Sequence, residues 1–106
     1  MVKESNVQRS IMSNLKKIPN SEWQKATTTN RAGAQDIIGH IQGYYIAFEV
    51  KRSNKEEPSD IQKYRIRKTN SNGGFSRWVS SWRQTKDYLL EFANTKNIHH
   101  TDLFPE

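Results

Sequence analysis

Near the N-terminus, Val7, Ile11, Leu15 and Ile18 recur at helical spacing through Lys3 to about Lys17, which predicts an amphipathic helix that Pro19 stops. The period then changes. Glu22 to Thr27 reads as a strand anchored by Trp23, and Thr28 to Gln35 as a polar loop that carries Arg31 and Gly33. Two β-rich runs follow, Asp36-Ile-Ile-Gly-His-Ile41 and Tyr44-Tyr-Ile-Ala-Phe-Glu-Val-Lys51, parted only by Gln42-Gly43, the pattern of a hairpin. Arg52 to Glu57 is a charged connection closed by Pro58. Pro58-Ser59-Asp60 opens a second helix that runs to about Asn72 and ends at Gly73-Gly74. Phe75 to Ser80 is another strand. Ser81-Trp82-Arg83-Gln84 has the form of a capping box opening a last helix to about Lys96, with Trp82, Leu89, Phe92 and Ala93 as its packing face.

The hairpin carries a chemical oddity. With Gln42 and Gly43 as a two-residue loop, Ile41 pairs with Tyr44, and counting back along the ladder brings Asp36 opposite Glu49. Directly opposed side chains have Cβ atoms roughly 4.5–5.5 Å apart, and two carboxylates at that distance repel unless a proton or a cation lies between them. Alternation puts Tyr45, Ala47, Glu49 and Lys51 on one face and Tyr44, Ile46, Phe48 and Val50 on the other, so Lys51 joins the acidic pair. Hard oxygen ligands, with no cysteine and no suitably spaced histidine pair, favour Mg²⁺ or Mn²⁺ over zinc. An acidic pair with a neighbouring lysine is the minimal kit for metal-assisted phosphodiester cleavage. The competing reading makes Asp36 a hairpin cap and Glu49 with Lys51 a solvated ion pair on an exposed face.

Composition bears on the partner. Seventeen Lys and Arg against eleven Asp and Glu give a net charge of +6, which suits a polyanion. At 106 residues without repeats, a single domain over residues 1–106 is expected. The absence of cysteine excludes a disulfide framework and thiolate chemistry. With no long apolar run and no apolar signal block, a cytoplasmic location away from any membrane is expected.

Other polar residues fall into place around the pair. Glu4 lies three residues before Val7 and so shares the first helix's buried stripe, or else simply complements the helix dipole in the first turn. Gln62 falls between Ile61 and Ile66 on the helical wheel, aimed at the sheet with Arg65 and Thr69, where it can orient a water or hold Lys51; a glutamine satisfied by backbone is the alternative. Lys63, Arg67 and Lys68 face outward as a basic stripe suited to a phosphate backbone. Trp78 alternates with Ser76 and Ser80 and is assigned to the core over a base-stacking role. His40 shares the Asp36 face but sits four residues farther along, as a structural residue or a DNA contact. His99-His100 stands in a polar tail with no third ligand nearby, which argues against metal binding there.

This order of elements and residues resembles the PD-(D/E)xK nuclease superfamily, and most of all the stand-alone VRR-NUC domains of phages and bacteria. The resemblance runs from Glu4-Ser-Asn-Val-Gln8 through Gln35-Asp-Ile-Ile-Gly39, Ala47-Phe-Glu-Val-Lys51 and Pro58-Ser-Asp-Ile-Gln62 to Gly73-Gly74, nearly the whole chain. It implies a restriction-endonuclease-like α/β/α core with a central mixed β-sheet flanked by helices. It also implies Mg²⁺-dependent hydrolysis of DNA phosphodiesters, with Mn²⁺ as a substitute, often by a homodimer acting on branched DNA such as four-way junctions. By carry-over, Asp36, Glu49 and the Val50 carbonyl bind metal, and Lys51 positions and helps deprotonate the attacking water. Glu4 acts through a second metal or its water shell, and Gln62 matches the family's helix glutamine. Arg31, Arg52, Lys55, Lys63, Arg67 and Lys68 are the candidate DNA contacts. One departure is visible: Gln35 stands where the family usually has proline, so the sequence supplies no ring to stiffen the approach to Asp36. A nuclease for flaps, nicks or ends, and a non-catalytic DNA-binding module with a vestigial site, are the alternatives.

Overall fold

In a computed structural model, which describes residues 2–26 and 35–106, the chain order is α1 (Glu4–Leu15), β1 (Ser21–Lys25), β2 (Ile37–Ile41), β3 (Tyr44–Val50), α2 (Asp60–Ser71), β4 (Phe75–Val79), α3 (Trp82–Thr95) and α4 (His100–Leu103). The β2–β3 connection is the expected two-residue loop. Gln42 and Gly43 both have positive φ, 51° and 87°, as a type I′ turn demands, and its twist matches that of the strands it joins. Ile41 therefore pairs with Tyr44 and Ile37 with Phe48. The sheet order is β1-β2-β3-β4, antiparallel through β3, with β4 parallel beside it. A parallel neighbour needs a crossover, and α2 supplies it.

Period-two alternation gives the two faces of the sheet different chemistry. Ile46, Phe48 and Val50 point to the face that α1 and α3 cover, where they join Val7, Ile11, Leu15, Leu89, Phe92 and Ala93 in the apolar core. There the Trp23 indole stacks on Phe48 at 6.4 Å. Gly39, the β2 partner of Trp23, makes room for that ring: a Cβ on it would come 2.1 Å from the Glu22 carbonyl oxygen and 2.6 Å from the indole. The opposite face meets α2 across a polar seam that includes Glu49, Ser76 and Gln35, with Ile66 the buried apolar residue of the helix. Three layers result, helices on both sides of a mixed sheet.

Helix ends follow their local signals. Ser59 caps α2 through a complete capping box with Gln62, and Gly73, at φ 93°, closes its far end. Ser81 caps α3 by accepting from the Gln84 N–H at 3.1 Å, but the Gln84 side-chain Oε1 accepts the Ser80 N–H at 2.8 Å, one residue before the expected partner. Nor is α3 the last helix. The tail past Lys96 adds α4, which buries Leu103 in the core and sets Phe104 edge-on to Trp82. One helical turn is too short to show a period in sequence. His99 serves as its N-cap, accepting from the Thr101 N–H at 3.3 Å. Among the described residues no helix is long and apolar enough to cross a membrane.

Candidate active site

The ends of β2 and β3 bring the acidic pair together. Asp36 immediately precedes β2, so the register that pairs Ile37 with Phe48 sets it level with Glu49. Its Oδ2 accepts the Val50 N–H at 2.8 Å, which ties the residue to β3. In an extended strand the N–H and C=O of one residue point to the same edge, so the Val50 carbonyl also faces the Asp36 side.

Glu49 is only 2% exposed, and its carboxyl is pushed up to about 8. Burial is the main cause, followed by the Asp36 charge and a hydrogen bond between the two carboxyl groups, with Lys51 pulling the other way. Glu49 therefore keeps its proton more readily than an exposed acid does. Lys51 Nζ lies 3.6 Å from Glu49 Oε2 with its side chain 16% exposed, so the lysine and the acid are not the solvated surface pair of the competing reading.

Gln62 braces the same oxygen. Its Nε2 donates to Glu49 Oε2 at 3.1 Å while its Oε1 accepts the Ser59 N–H at 2.8 Å, so both ends of the amide are fixed. It thus holds Glu49 rather than Lys51, because the capping box points its amide at the buried acid. Glu49 Oε1, in contrast, is buried and receives no hydrogen bond. A buried acid with an unfilled oxygen and a second carboxylate against it is short of positive charge, and a divalent ion fits that deficit.

Glu4 stands at the rim. It is exposed rather than part of the buried stripe, which begins at Val7, because a helical side chain leans toward the helix N-terminus and a first-turn residue leans off the end. Its carboxyl is nevertheless raised, by partial desolvation first and the Asp36 charge next, with Lys51 opposing, so it shares the electrostatics of the pair. Among the described residues no three acidic or imidazole side chains are disposed to hold one ion. The side chains that could contribute to a metal site are those of Asp36 and Glu49.

A solved structure described as a VRR_NUC domain superposes on this chain with a TM-score of 0.72 at 24% identity, covering 86% of this chain and 97% of that one. The chain has the VRR_NUC fold. No protein-family model and no curated protein matches it.

Within this VRR_NUC fold, Gln35 takes on a part that the pattern of the sequence does not reveal. Its side chain is buried, and Nε2 lies 3.1 Å from Thr69 Oγ1, 3.2 Å from Ser76 Oγ and 3.4 Å from the Arg65 carbonyl oxygen. The residue before Asp36 is thus anchored to α2 and β4 by hydrogen bonds instead of a proline ring. Trp78 departs from expectation too. It is 38% exposed and sits beside Glu49 in the β3–β4 register, because β4 is an edge strand with no further strand beyond it. Trp78 is therefore an exposed ring beside the acidic pair and not a core residue.

The expected basic residues are only partly available. Arg52 Nε is 2.6 Å from Glu56, and Lys63, half-buried rather than outward, pairs with Glu57 at 3.4 Å. Lys55, Arg67 and Lys68 are exposed, and Arg31 lies outside the described residues. His40 is exposed opposite Tyr45, at the end of the hairpin away from Asp36.

Proposed function

We propose that this chain is a Mg²⁺-dependent nuclease that hydrolyses DNA phosphodiesters internally, with branched DNA such as four-way junctions as its preferred substrate and a homodimer as its working form. The observation that carries the proposal is the buried Glu49 set against the half-buried Asp36, short of positive charge, with the Lys51 ammonium 3.6 Å from Glu49. The VRR_NUC fold and the net charge of +6 support it. Asp36, Glu49 and the Val50 carbonyl would hold Mg²⁺ or Mn²⁺. Such an ion supplies positive charge beside the scissile phosphate and makes water easier to deprotonate. Lys51 positions the attacking water and stabilises the negative charge that grows as that water loses its proton. Gln62 and the Val50 N–H keep the two acids from turning away, and Glu4 orders water at the rim. Trp78 offers its ring to an unstacked base.

Cleavage of linear, flap and four-way DNA with Mg²⁺, beside Ca²⁺ as a binding-only control, tests this reading. Wild type is expected to cut four-way DNA fastest, and Glu49→Gln to lose at least a hundredfold in rate while remaining folded. Identical behaviour of the two proteins on every substrate would sink the catalytic proposal. A mass measurement in solution tests the homodimer, and a monomer would remove paired cutting from it.

A further inference from the structure

Outside the acidic pair, the chain has a second feature suited to a polyanion. A groove of about 370 Å³ runs between α1 and the β1–β2 side of the sheet. One end is lined by Ser5 and Ile37, the chain neighbours of Glu4 and Asp36, so the groove passes close to the candidate site without including its side chains. From Ser5 to Lys16 it follows α1 for about 16 Å at 1.5 Å per residue.

Its lip is cationic. Arg9 and Lys16 come from α1, and Lys25 from β1, where it pairs with Ile37 on the face that α1 covers. All three are exposed, and among the described residues none forms a salt bridge and no acidic side chain lines the groove. The other approach differs. Around the start of α2, Glu56 and Glu57 occupy Arg52 and Lys63, and Asp60 adds a further negative charge. Gln8, half-buried in the groove lining, has a buried Oε1 with no hydrogen-bond partner among the described residues. The other end of that amide carries two N–H donors.

We infer that this groove is the track for the sugar-phosphate backbone of a nucleic-acid strand leaving the site, with Arg9, Lys16 and Lys25 contacting phosphates and Gln8 donating to one of them. The inference rests on the nuclease reading. It names the route of the substrate, which that reading leaves open, and it moves the main charge contacts from α2 to α1 and β1. A groove of this length spans several successive phosphates of one strand, enough to engage all three cations.

Fluorescence anisotropy with labelled four-way DNA in Ca²⁺, across a series of salt concentrations, tests the route. Neutralising one phosphate contact lowers the slope of log affinity against log salt by about 0.9 on a duplex. The triple variant Arg9→Gln, Lys16→Gln, Lys25→Gln is expected to lower the slope by about 2 to 3 and to leave the thermal midpoint unchanged. Gln8→Leu, which keeps the packing volume, is expected to weaken binding several-fold. The control pair Arg67→Gln, Lys68→Gln on α2 is expected to change the slope by less than 1. A triple variant with the wild-type slope beside a control pair that loses it would overturn the groove in favour of an α2 route. A triple variant whose mass in solution falls below that of wild type would also overturn it, since the groove would then be a contact between copies. Wild type that neither cuts nor binds DNA defeats the nuclease reading and the track with it, whereas wild type that cuts while the triple variant binds unchanged defeats the track alone.

Discussion

Glu49 holds its proton more tightly in the fold than in an unfolded chain, and this couples the candidate site to stability. Its carboxyl moves from 4.5 to about 8. Below about pH 4.5 both states are protonated, and above about pH 8 both are ionised, so the linkage acts only between. Within that window the native state binds more protons, and stability falls as pH rises. Without divalent ions, the thermal midpoint of wild type should drop by several degrees between about pH 5 and 8, and Glu49→Gln should flatten that drop. Mg²⁺ or Ca²⁺ should restore more at pH 8 than at pH 6, because ion and proton compete for the pair. A wild-type midpoint that ignores pH over this range would contradict the burial of Glu49 beside Asp36. Gln35 makes a second residue-scale prediction. Gln35→Met fills the space but leaves the polar groups around it unpaired, at a cost of about 1–3 kcal/mol in urea unfolding. Mn²⁺ affinity should weaken with it, as Asp36 loses its anchor to α2. The two residues differ in how far sequence can reveal them. Glu49 and Lys51 follow from alternation and a turn count, whereas Gln35 reaches partners 34 and 41 positions away, beyond any local pattern.

At the level of elements, the hairpin fixes the site because a two-residue I′ turn permits a single register. A slip of one residue would carry the inward apolar side chains of β3 to the polar face, and burial of Ile46, Phe48 and Val50 opposes it. Packing of β1 on that hairpin depends on Gly39. A methyl group there meets backbone, not a flexible side-chain tip, so Gly39→Ala should cost about 1–3 kcal/mol or more, read from the urea midpoint. A variant as stable as wild type would mean that Trp23 need not lie across β2. The α2 capping box joins element to chemistry, since the glutamine that closes the helix end also braces Glu49. The local part of that arrangement was legible in Pro58-Ser-Asp-Ile-Gln62. Its reach to Glu49 was not, because it depends on where the crossover lays α2 against β3.

For the whole molecule, the decisive matter is where charge ends up. The sequence by itself determined the order of elements through α3, the hairpin register, the juxtaposition of Asp36, Glu49 and Lys51, and an excess of positive charge, because periodicity, turn chemistry and residue counts are local or additive. Tertiary structure alone decided the rest. It left Trp78 exposed beside Glu49, since a strand's place at the sheet edge depends on non-local pairing. It placed Glu4 at the rim, spent Arg52 and Lys63 on neighbouring acids, and left Arg9, Lys16 and Lys25 without salt bridges beside a groove among the described residues. Composition counts cations but cannot pair them, because an ion pair requires two side chains at one point in space, and only the packed layers set those points.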